Sequence, residues 1–448
     1  MGSGFTAGPE VLLLAHALDA IDPHWRTAKL CVALSGGLDS TVLLHAMAAL
    51  ATEVPVKLRA IHVDHGLQAA SPAWADACAA ACRSAGVPLE ILSLALAPPR
   101  GASVEAAARE ARYAALAPLL EDGEWLLTAH HRNDQLETVL IQLLRGAGVA
   151  GLAAMPARVA FGRGSHVRPL LDFDRAELAA YAGAHRLAWI DDPMNLDPRF
   201  DRGWLRSRVL PAIRERWPAA ASTVARSASH LAEASRLLSE IAAIDAVGIV
   251  DDGRLSLVGL ARLSRDRQVN LVRGWLREQG LRPPPAARLN AALPDFMTAR
   301  EDGAPALRWD GGEIRRYRGL LYALQSLWEA VPANDDGATS VELGPGCGQF
   351  ALVAGLGGGL CAARTVRPVL RFRRGGESLR PHPGRPRKRL KDLCQEAGVV
   401  PWMRERLPLV FVGDQLVAVA DLWIDADFAA EAGRPALKPV WTGRPQIY

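Results

Sequence analysis

The sequence has few cysteines and no long hydrophobic run. Its 448 residues include six cysteines, and no two of them form a CxxC pair. Such scattered cysteines argue against a disulfide framework or a zinc ribbon. No apolar stretch approaches the length of a membrane span, and the first ten residues lack the basic and hydrophobic parts of a signal peptide. We therefore expect a cytoplasmic protein with no membrane partner.

Common nucleotide-binding motifs and strong net charge are also absent. The sequence carries neither GxxxxGK[ST] nor GxGxxG around its most glycine-rich strand-to-helix turn. Its formal net charge of +4 is too small to identify a nucleic-acid partner by itself. Arginine supplies most of the positive charge, and it is dense between residues 364 and 391. Half of the residues are hydrophobic, which is enough for two or three domain cores.

The most informative segment is a short loop between an apolar run and a helical pattern. An apolar run ending at Leu34 predicts a buried strand, and a helix is expected from Thr41 onward. A glycine-rich turn at a helix N-terminus can hold an anion on backbone N–H groups. The loop, residues 35–40, resembles the pyrophosphate loop of N-type ATP pyrophosphatases. That resemblance implies ATP binding by Ser35, Gly36, Gly37, Leu38, Asp39 and Ser40.

Asp39 is the one residue of this loop whose charge opposes phosphate binding. A carboxylate repels a phosphate directly, but it suits a Mg²⁺ ion held between the two. We therefore expect Mg²⁺ as a cofactor, with Asp39 as a ligand and as a catalytic residue.

Apolar runs and helical patterns alternate from Leu30 to about Ile190, which predicts an α/β domain with a doubly wound parallel sheet. A mostly helical middle domain and a small α+β C-terminal domain should follow. The predicted domain bounds are 1–215, 216–332 and 341–448. Strands are expected at 29–34, 58–63, 89–94, 125–129 and 167–169, and helices at 40–51, 72–85, 103–120 and 135–146. Later in the chain, strands 306–309 and 313–323 should form a hairpin that turns at 310–312.

Polar residues cluster where two predicted strands end. Asp134 and Glu137 lie three positions apart, so a helix would place them on one face. Such a pair could hold and deprotonate an amine, but Asp134 could instead be a helix N-cap with Glu137 as its capping-box partner. A transition-metal site is a further alternative, although none of the histidines has the HExxH arrangement; its ligands would come from His62, Asp64, His65, His130 and His131.

Several motifs in fixed order make the resemblance more specific. The motifs are SGGLDS, HVDHGLQ, EAAAREARY, TAHHRNDQLET, LLRGAG and WIDDPMNLD, followed in the C-terminal part by FRRGGESL, LKDLCQEA, VPWMRERLPL and VAVAD. Together they resemble the bacterial tRNA(Ile)-lysidine synthetase family over nearly the whole chain.

The resemblance implies a two-step reaction. The O2 atom of cytidine-34 in the CAU anticodon of tRNA(Ile) attacks the α-phosphate of ATP, and pyrophosphate leaves. The ε-amine of L-lysine then displaces AMP, and the modified tRNA reads AUA instead of AUG. The site residues implied are Asp39, Asp134 and Glu137 for catalysis; His62 and Arg109 with the loop for ATP; Asp134, Glu137 and His131 for lysine; and Arg112, Arg206, Arg373, Arg374, Arg387 and Lys388 for tRNA.

The chain departs from the family pattern at two positions. Asn133 stands where the family usually has a second aspartate, which puts lysine or metal binding in doubt. Gln68 stands where an arginine is frequent, so one phosphate or tRNA contact could be missing.

Other functions remain open on the sequence alone. A PP-loop tRNA 2-thiolase usually needs paired cysteines, and an amidotransferase-type synthetase needs a glutaminase partner domain; neither feature is recognisable here. A catalytically inactive tRNA-binding paralogue has only Asn133 in its favour. Arg109 and Arg112 could be solvated helix residues, the C-terminal arginines could be a solvated basic surface, and a homodimer is left open.

Overall fold

The computed structural model describes residues 9–64, 66, 71–94, 104–192, 197–300, 305–325, 340–344 and 347–444. The chain divides into two compact units, Met1–Leu238 and Ser239–Tyr448. No helix in these described ranges is long and apolar enough to cross a membrane.

The first unit contains a six-stranded sheet. Its strands are β1 (Lys29–Ala33), β2 (Lys57–Asp64), β3 (Leu89–Ser93), β4 (Trp125–Leu127), β5 (Arg158–Phe161) and β6 (Gly164–Val167). Their order is β3-β2-β1-β4-β6-β5, and only β5 runs antiparallel to its neighbour. The predicted parallel sheet is confirmed, and the carboxyl ends of five strands meet at one edge.

The central strand β1 is buried on both faces, as parallel strands covered by helices are. Leu30 and Val32 pack into the larger core on one face, whereas Cys31 packs into a second cluster on the other. This two-sided burial explains why β1 is a continuous apolar run rather than an alternating one.

Helices connect and cover these strands. They are α1 (Pro9–Ile21), α2 (Leu38–Glu53), α3 (Ser71–Ala85), α4 (Val104–Leu116), α5 (Arg132–Leu144), α6 (Val149–Leu152) and α7 (Arg175–Ala184). They are followed by α8 (Asp201–Trp204), a π-helical segment (Leu205–Val209), α9 (Leu210–Arg216) and α10 (Ala220–Ala246).

The hairpin of β5 and β6 differs from the prediction of a single strand at 167–169. β6 ends at Val167, and the two strands pair antiparallel before it. The turn lies at Gly162, whose φ angle is +54°, and Gly164 lets β6 approach the start of β4, because a Cβ atom there would lie 1.9 Å from the carbonyl oxygen of Glu124. The glycines therefore mark a hairpin, which an apolar pattern of four residues does not reveal.

The first part of the second unit combines helices with a five-stranded sheet in the order β7-β8-β11-β10-β9. Its elements are β7 (Val250–Asp251), β8 (Arg254–Ser256), α11 (Leu257–Leu260), α12 (Arg265–Glu278), α13 (Ala286–Thr298), β9 (Ala306–Trp309), β10 (Gly312–Tyr317) and β11 (Leu320–Leu324). The predicted single strand 313–323 is wrong. Arg318 and Gly319 have positive φ angles of 48° and 74° and turn the chain between β10 and β11.

The last part of the chain is small and strand-rich, with three further sheets in the described residues. Its elements are β12 (Ser340–Glu342), β13 (Gln349–Leu356), β14 (Leu360–Cys361), β15 (Val369–Arg371), β16 (Ser378–Leu379), β17 (Lys388–Arg389), α14 (Leu390–Glu396), β18 (Leu409–Val412), β19 (Gln415–Val419), β20 (Trp423–Ile424) and β21 (Pro435–Thr442). The α+β class predicted for this part is confirmed. The three domain bounds proposed from the sequence remain predictions, and most of the expected linker at 333–340 lies outside the described residues.

Candidate active site

The 35–40 loop is closed by its own hydroxyl groups. The Ser35 N–H donates to Ser40 Oγ at 3.2 Å, and Ser40 Oγ donates to the carbonyl oxygen of Gly37 at 3.1 Å. α2 starts at Leu38, directly after Gly37. The unpaired N–H groups of a first helical turn attract an anion. This geometry suits a phosphate group at the carboxyl end of β1.

Gly36 is the residue that lets the loop turn. Its φ angle is +83°, and a Cβ atom there would lie 3.0 Å from both Cys78 Sγ and Ile190 Cδ1. The Ile190 N–H also donates to the Gly36 carbonyl oxygen at 2.9 Å. The segment that carries the WIDD motif therefore fixes the loop from the side, a role that the sequence did not suggest for it.

Asp39 has one carboxylate oxygen that is free for a ligand. Its Oδ1 atom is buried and has no hydrogen-bond partner in the described part of the chain. Its Oδ2 atom lies 3.6 Å from His131 Nε2. A buried, unpaired carboxylate oxygen at a phosphate-type loop fits Mg²⁺, which commonly uses one or two carboxylates together with phosphate oxygens and water.

The histidine-rich alternative does not gain support as a transition-metal site. Among the described residues, no group of three or more His, Cys, Asp or Glu side chains could hold a metal ion. His62 is buried, with Nδ1 2.8 Å from the Leu34 carbonyl oxygen, and Asp64 accepts from the Gly66 N–H. His65 and Gln68 lie outside the described residues.

At the start of α5, Asp134 takes part in helix capping, but not as the N-cap residue. His131, not Asp134, is the N-cap residue, and its backbone N–H donates to Asp134 Oδ2 at 3.0 Å. Asp134 therefore stabilises the first turn of α5 with one oxygen. Its other oxygen, Oδ1, faces Arg206. Capping and cation binding are compatible here because the two carboxylate oxygens point to different partners.

Asp134 and Glu137 together hold one guanidinium group. Arg206 Nε donates to Glu137 Oε1 at 2.6 Å, and one terminal nitrogen lies 2.9 Å from Glu137 Oε2 and 3.0 Å from Asp134 Oδ1. Both carboxylates are buried, with 7% and 2% of their residue surface exposed. Arg206 comes from the π-helical segment, a kind of irregularity that is frequent at functional sites. The sequence suggested that Arg206 binds tRNA, whereas its observed partners are these carboxylates.

Burial and neighbouring charges shift the pKa values of Glu137 and His131. Burial raises the pKa of Glu137 above its usual value, and the Arg206 guanidinium only partly opposes that shift. Burial lowers the pKa of His131, but Asp39 and Asp134 outweigh it, so the net shift is upward. His131 Nε2 lies 3.5 Å from Asp134 Oδ2 as well as close to Asp39. His131 thus links the carboxylate of the loop to the carboxylates of α5.

Asn133 points away from this cluster. Its side-chain Oδ1 accepts a hydrogen bond from the Arg175 N–H at 3.1 Å, at the first residue of α7. The residue that departs from the family pattern therefore serves a helix N-terminus rather than the carboxylate pair.

Besides Arg206, two arginines of the first unit were expected to bind ATP or tRNA, and both lie on α4. The guanidinium of exposed Arg109 lies 5.2 Å from the centre of the Tyr113 ring. Arg112 is more buried, and burial lowers the pKa of its guanidinium. Their predicted ligand roles stay predictions.

The C-terminal cations fall into two groups. Arg387 pairs with the fully buried Asp425 at 3.1 Å, Arg373 lies 3.8 Å from Glu377, and Lys388 pairs with Glu396. Arg374, Arg385 and Arg389 are exposed and form no ion pair with any residue that the structure describes. Arg385 and Arg389 belong to the segment 385–391, which the sequence suggested as a phosphate-binding region.

Three further polar residues were missed at the carboxyl edge of the sheet. Thr128, His166 and Arg168 are buried next to His130. Thr128 belongs to the TAHH motif, which could have drawn attention to it. His166 and Arg168 carry no sequence signal, because the β5–β6 hairpin that positions them was not predicted.

Comparisons with known proteins agree along the chain. Family models match for a PP-loop domain at residues 12–213, a TilS substrate binding domain at 255–322 and a TilS substrate C-terminal domain at 369–441. The tRNA(Ile)-lysidine synthase of Alkalilimnicola ehrlichii is 44% identical over 411 residues, 90% of this chain and 92% of that protein. That of Pseudomonas aeruginosa is 45% identical over 428 residues, 92% and 94% of the two chains.

A solved structure also matches, at much lower similarity. The U34-tRNA thiolase NcsA from Methanococcus maripaludis is 18% identical, covers 50% of this chain and 78% of its own, and has a TM-score of 0.43.

Proposed function

Because this chain belongs to the tRNA(Ile)-lysidine synthase family, we propose that its 35–40 loop and its Asp134–Glu137 pair serve the two steps of lysidine formation. The chain is an ATP-dependent ligase. In the first step, O2 of the anticodon cytidine attacks the α-phosphate of ATP and releases pyrophosphate. In the second, the ε-amine of lysine attacks C2 and releases AMP.

For the first step, we assign binding of the ATP phosphates to the 35–40 loop. The start of α2 offers N–H groups and a partial positive charge to the leaving pyrophosphate. Asp39, with its unpaired buried oxygen, would hold Mg²⁺. When bound, the ion would neutralise charge that develops on the phosphate oxygens. His62 and Arg109 remain proposed ATP contacts.

The observation that carries the second step is the guanidinium held between Asp134 and Glu137. It supports the proposal because a buried carboxylate pair that binds one cation can bind another. Lysine brings an ammonium group with a pKa near ~10.4, which must lose a proton before it can attack. Glu137, whose pKa is raised by burial, is suited to accept that proton. His131 would orient both carboxylates.

Arg206 must then leave at least one carboxylate oxygen when the ammonium group enters. Its guanidinium now makes three hydrogen bonds to the pair, so lysine and Arg206 compete for the same acceptors. Once displaced, Arg206 could contact a phosphate of ATP or of tRNA, which keeps the tRNA role expected from the sequence open to test.

The remaining assignments concern partners. We assign tRNA backbone binding to exposed C-terminal cations, with Arg374, Arg385 and Arg389 best placed because no described carboxylate neutralises them. Arg112, Arg373, Arg387 and Lys388 remain proposed tRNA contacts. A cytoplasmic location fits an enzyme acting on tRNA, and a homodimer remains a prediction.

The rival functions have less support. A 2-thiolase would need accessible thiols that can carry sulfur, but five of the six cysteines, all except Cys361, are buried, and burial raises the pKa values of Cys31 and Cys78 to about 12. An inactive tRNA-binding paralogue rested on Asn133, whose side chain supports α7 instead of the carboxylate pair.

The proposed function is tested by incubating the full chain with ATP, Mg²⁺, labelled lysine and an isoleucine tRNA transcript bearing a CAU anticodon. We expect label in the tRNA, with one AMP and one pyrophosphate formed for each lysine incorporated. A transcript with uridine in place of the first anticodon cytidine serves as the control and should stay unlabelled. Incorporation without ATP, or none with the CAU transcript, would rule the function out.

A further inference from the structure

A chain of four side chains crosses the carboxyl edge of the sheet beside the proposed site. Arg168 lies 3.1 Å from His166 Nδ1, and His166 Nε2 lies 2.8 Å from Thr128 Oγ1. Thr128 Oγ1 also lies 2.8 Å from His130 Nδ1. The chain therefore begins at a guanidinium and ends at a histidine ring.

The donor and acceptor capacities of these groups fix the direction of every hydrogen bond in this series. A guanidinium can only donate, so His166 Nδ1 must accept and the proton of that ring must be on Nε2. His166 Nε2–H then donates to Thr128 Oγ1. The Thr128 hydroxyl has one hydrogen, which it donates to His130 Nδ1. With the other His130 tautomer, this buried hydroxyl would have no acceptor among the described side chains, which is unfavourable.

The surroundings keep both rings neutral. Burial lowers the pKa values of His130 and His166 to about 3, and the positive charges of Arg168 and Arg109 act in the same direction. Asp134 opposes the shift at His130 but does not reverse it. A neutral His130 with Nδ1 occupied as an acceptor carries its only proton on Nε2.

Neighbouring residues hold Arg168 and His166 of this hydrogen-bond series in place. Arg168 also donates to the Pro156 carbonyl oxygen at 2.7 Å, and the rings of Tyr113 and Phe161 pack near His166. If these hydrogen bonds only joined β6 to the end of β4, the His166–Thr128 bond would be sufficient. This chain continues to His130, whose Nε2 makes no hydrogen bond with any residue that the structure describes.

The position of His130 suggests which group accepts a hydrogen bond from its Nε2–H. It follows β4, which pairs in parallel with β1, and β1 leads directly into the 35–40 loop. The two segments therefore leave the sheet side by side at the same edge, where ligands of such sheets bind. A neutral ring N–H there can donate a hydrogen bond to an anionic phosphate oxygen.

We propose that Arg168, His166 and Thr128 are positioning residues that hold His130 in a single tautomer, with its Nε2–H presented to a phosphate oxygen of bound ATP. This inference rests on the proposed function, because it requires ATP on the 35–40 loop. No covalent step is assigned to His130.

The tautomer can be tested on the wild-type chain alone. Long-range ¹H–¹⁵N spectra of the histidine rings at pH 7 distinguish the two nitrogens, and His130→Gln assigns the signal. We expect an unprotonated Nδ1 and a protonated Nε2 in both His130 and His166. A proton on His130 Nδ1, or a doubly protonated His130 at pH 6.5, overturns the inference. These spectra do not depend on lysidine formation, so they separate this inference from the proposed function.

Variants of Thr128 test the role. Thr128→Val should lower kcat/KM for ATP roughly tenfold, as loss of one charge-assisted hydrogen bond does, and should leave the KM for lysine unchanged. Thr128→Ser keeps the hydroxyl and should restore most of the activity. Tyr181→Phe is the matched control, because it removes a hydroxyl 2.9 Å from another ring, that of His45. A wild-type kcat/KM for ATP in Thr128→Val, or an equal loss in Thr128→Ser, contradicts the assignment.

Discussion

Individual side chains in the proposed site combine structural and chemical roles. Asp134 caps α5 with Oδ2 and binds a cation with Oδ1, and Asp39 approaches His131 with one oxygen while its other oxygen is unpaired. This division explains why a short motif can contain both capping residues and catalytic ones. Spacing in the sequence suggests that Asp134 and Glu137 share a helix face. It does not reveal Arg206 as their partner, because 69 positions separate Arg206 from Glu137.

Asn133 provides a prediction at the residue scale. Asn133→Ala should lower the free energy of unfolding by about 1 kcal/mol, since the N-terminus of α7 loses a hydrogen bond. Asn133→Asp should keep that bond and leave stability unchanged, because a carboxylate is favourable at a helix N-terminus. In both variants the KM for lysine should stay within about twofold of wild type, as measured by tRNA labelling. A tenfold change in that KM would place Asn133 in the lysine site after all.

At the scale of elements, apolar runs were the reliable signal and short polar hairpins were not. β1, β2 and β3 are apolar runs of five to eight residues, and the sequence located them within a residue or two, although β3 at the sheet edge is largely exposed. β5 and β6 are only four residues long, so no apolar run of the length seen in β1 or β2 marks the hairpin. β6 also packs beside the start of β4 through the close approach of Gly164 to Glu124, a contact between residues distant in the sequence.

Because the hairpin was not predicted, only part of the candidate site could be located from the sequence. The sequence located the 35–40 loop and the start of α5, because each follows a buried strand at the carboxyl edge of a parallel sheet. It missed His166 and Arg168, which reach the same edge from the hairpin. Likewise, the π-helical segment that presents Arg206 resembles ordinary helix in the sequence.

At the scale of the whole molecule, each unit has its own hydrophobic cores, and the described residues of the second unit form two. One core there is formed between residues 255 and 321, and the other between residues 322 and 441. The second of these is tied together by ion pairs such as that of Arg387 with Asp425. Basic residues in this part therefore divide between stabilising the fold and facing solvent.

That division predicts different outcomes for neighbouring arginines. The double variant Arg385→Glu/Arg389→Glu should weaken tRNA binding at least about tenfold and reduce its salt dependence, because phosphate contacts are lost. Its melting temperature should match wild type. Arg387→Ala should instead destabilise the second unit by about 2 kcal/mol, since the buried Asp425 loses its ion-pair partner and keeps only hydrogen bonds from the Arg380 and Asp427 N–H groups.

Filter binding over a salt series and thermal unfolding separate these effects. Wild-type affinity and salt slope in the Arg385/Arg389 variant would show that this surface does not contact tRNA.

The central claim is that Asp134 and Glu137 receive the amine of lysine. Its most direct measurement is the lysine dependence of tRNA labelling by Glu137→Gln, with Asn133→Asp as the neighbouring control. We predict that kcat/KM for lysine falls roughly 100-fold in Glu137→Gln, because one charge of a buried pair is lost, while tRNA affinity and the KM for ATP are unchanged. A wild-type kcat and KM for lysine in Glu137→Gln would contradict the account.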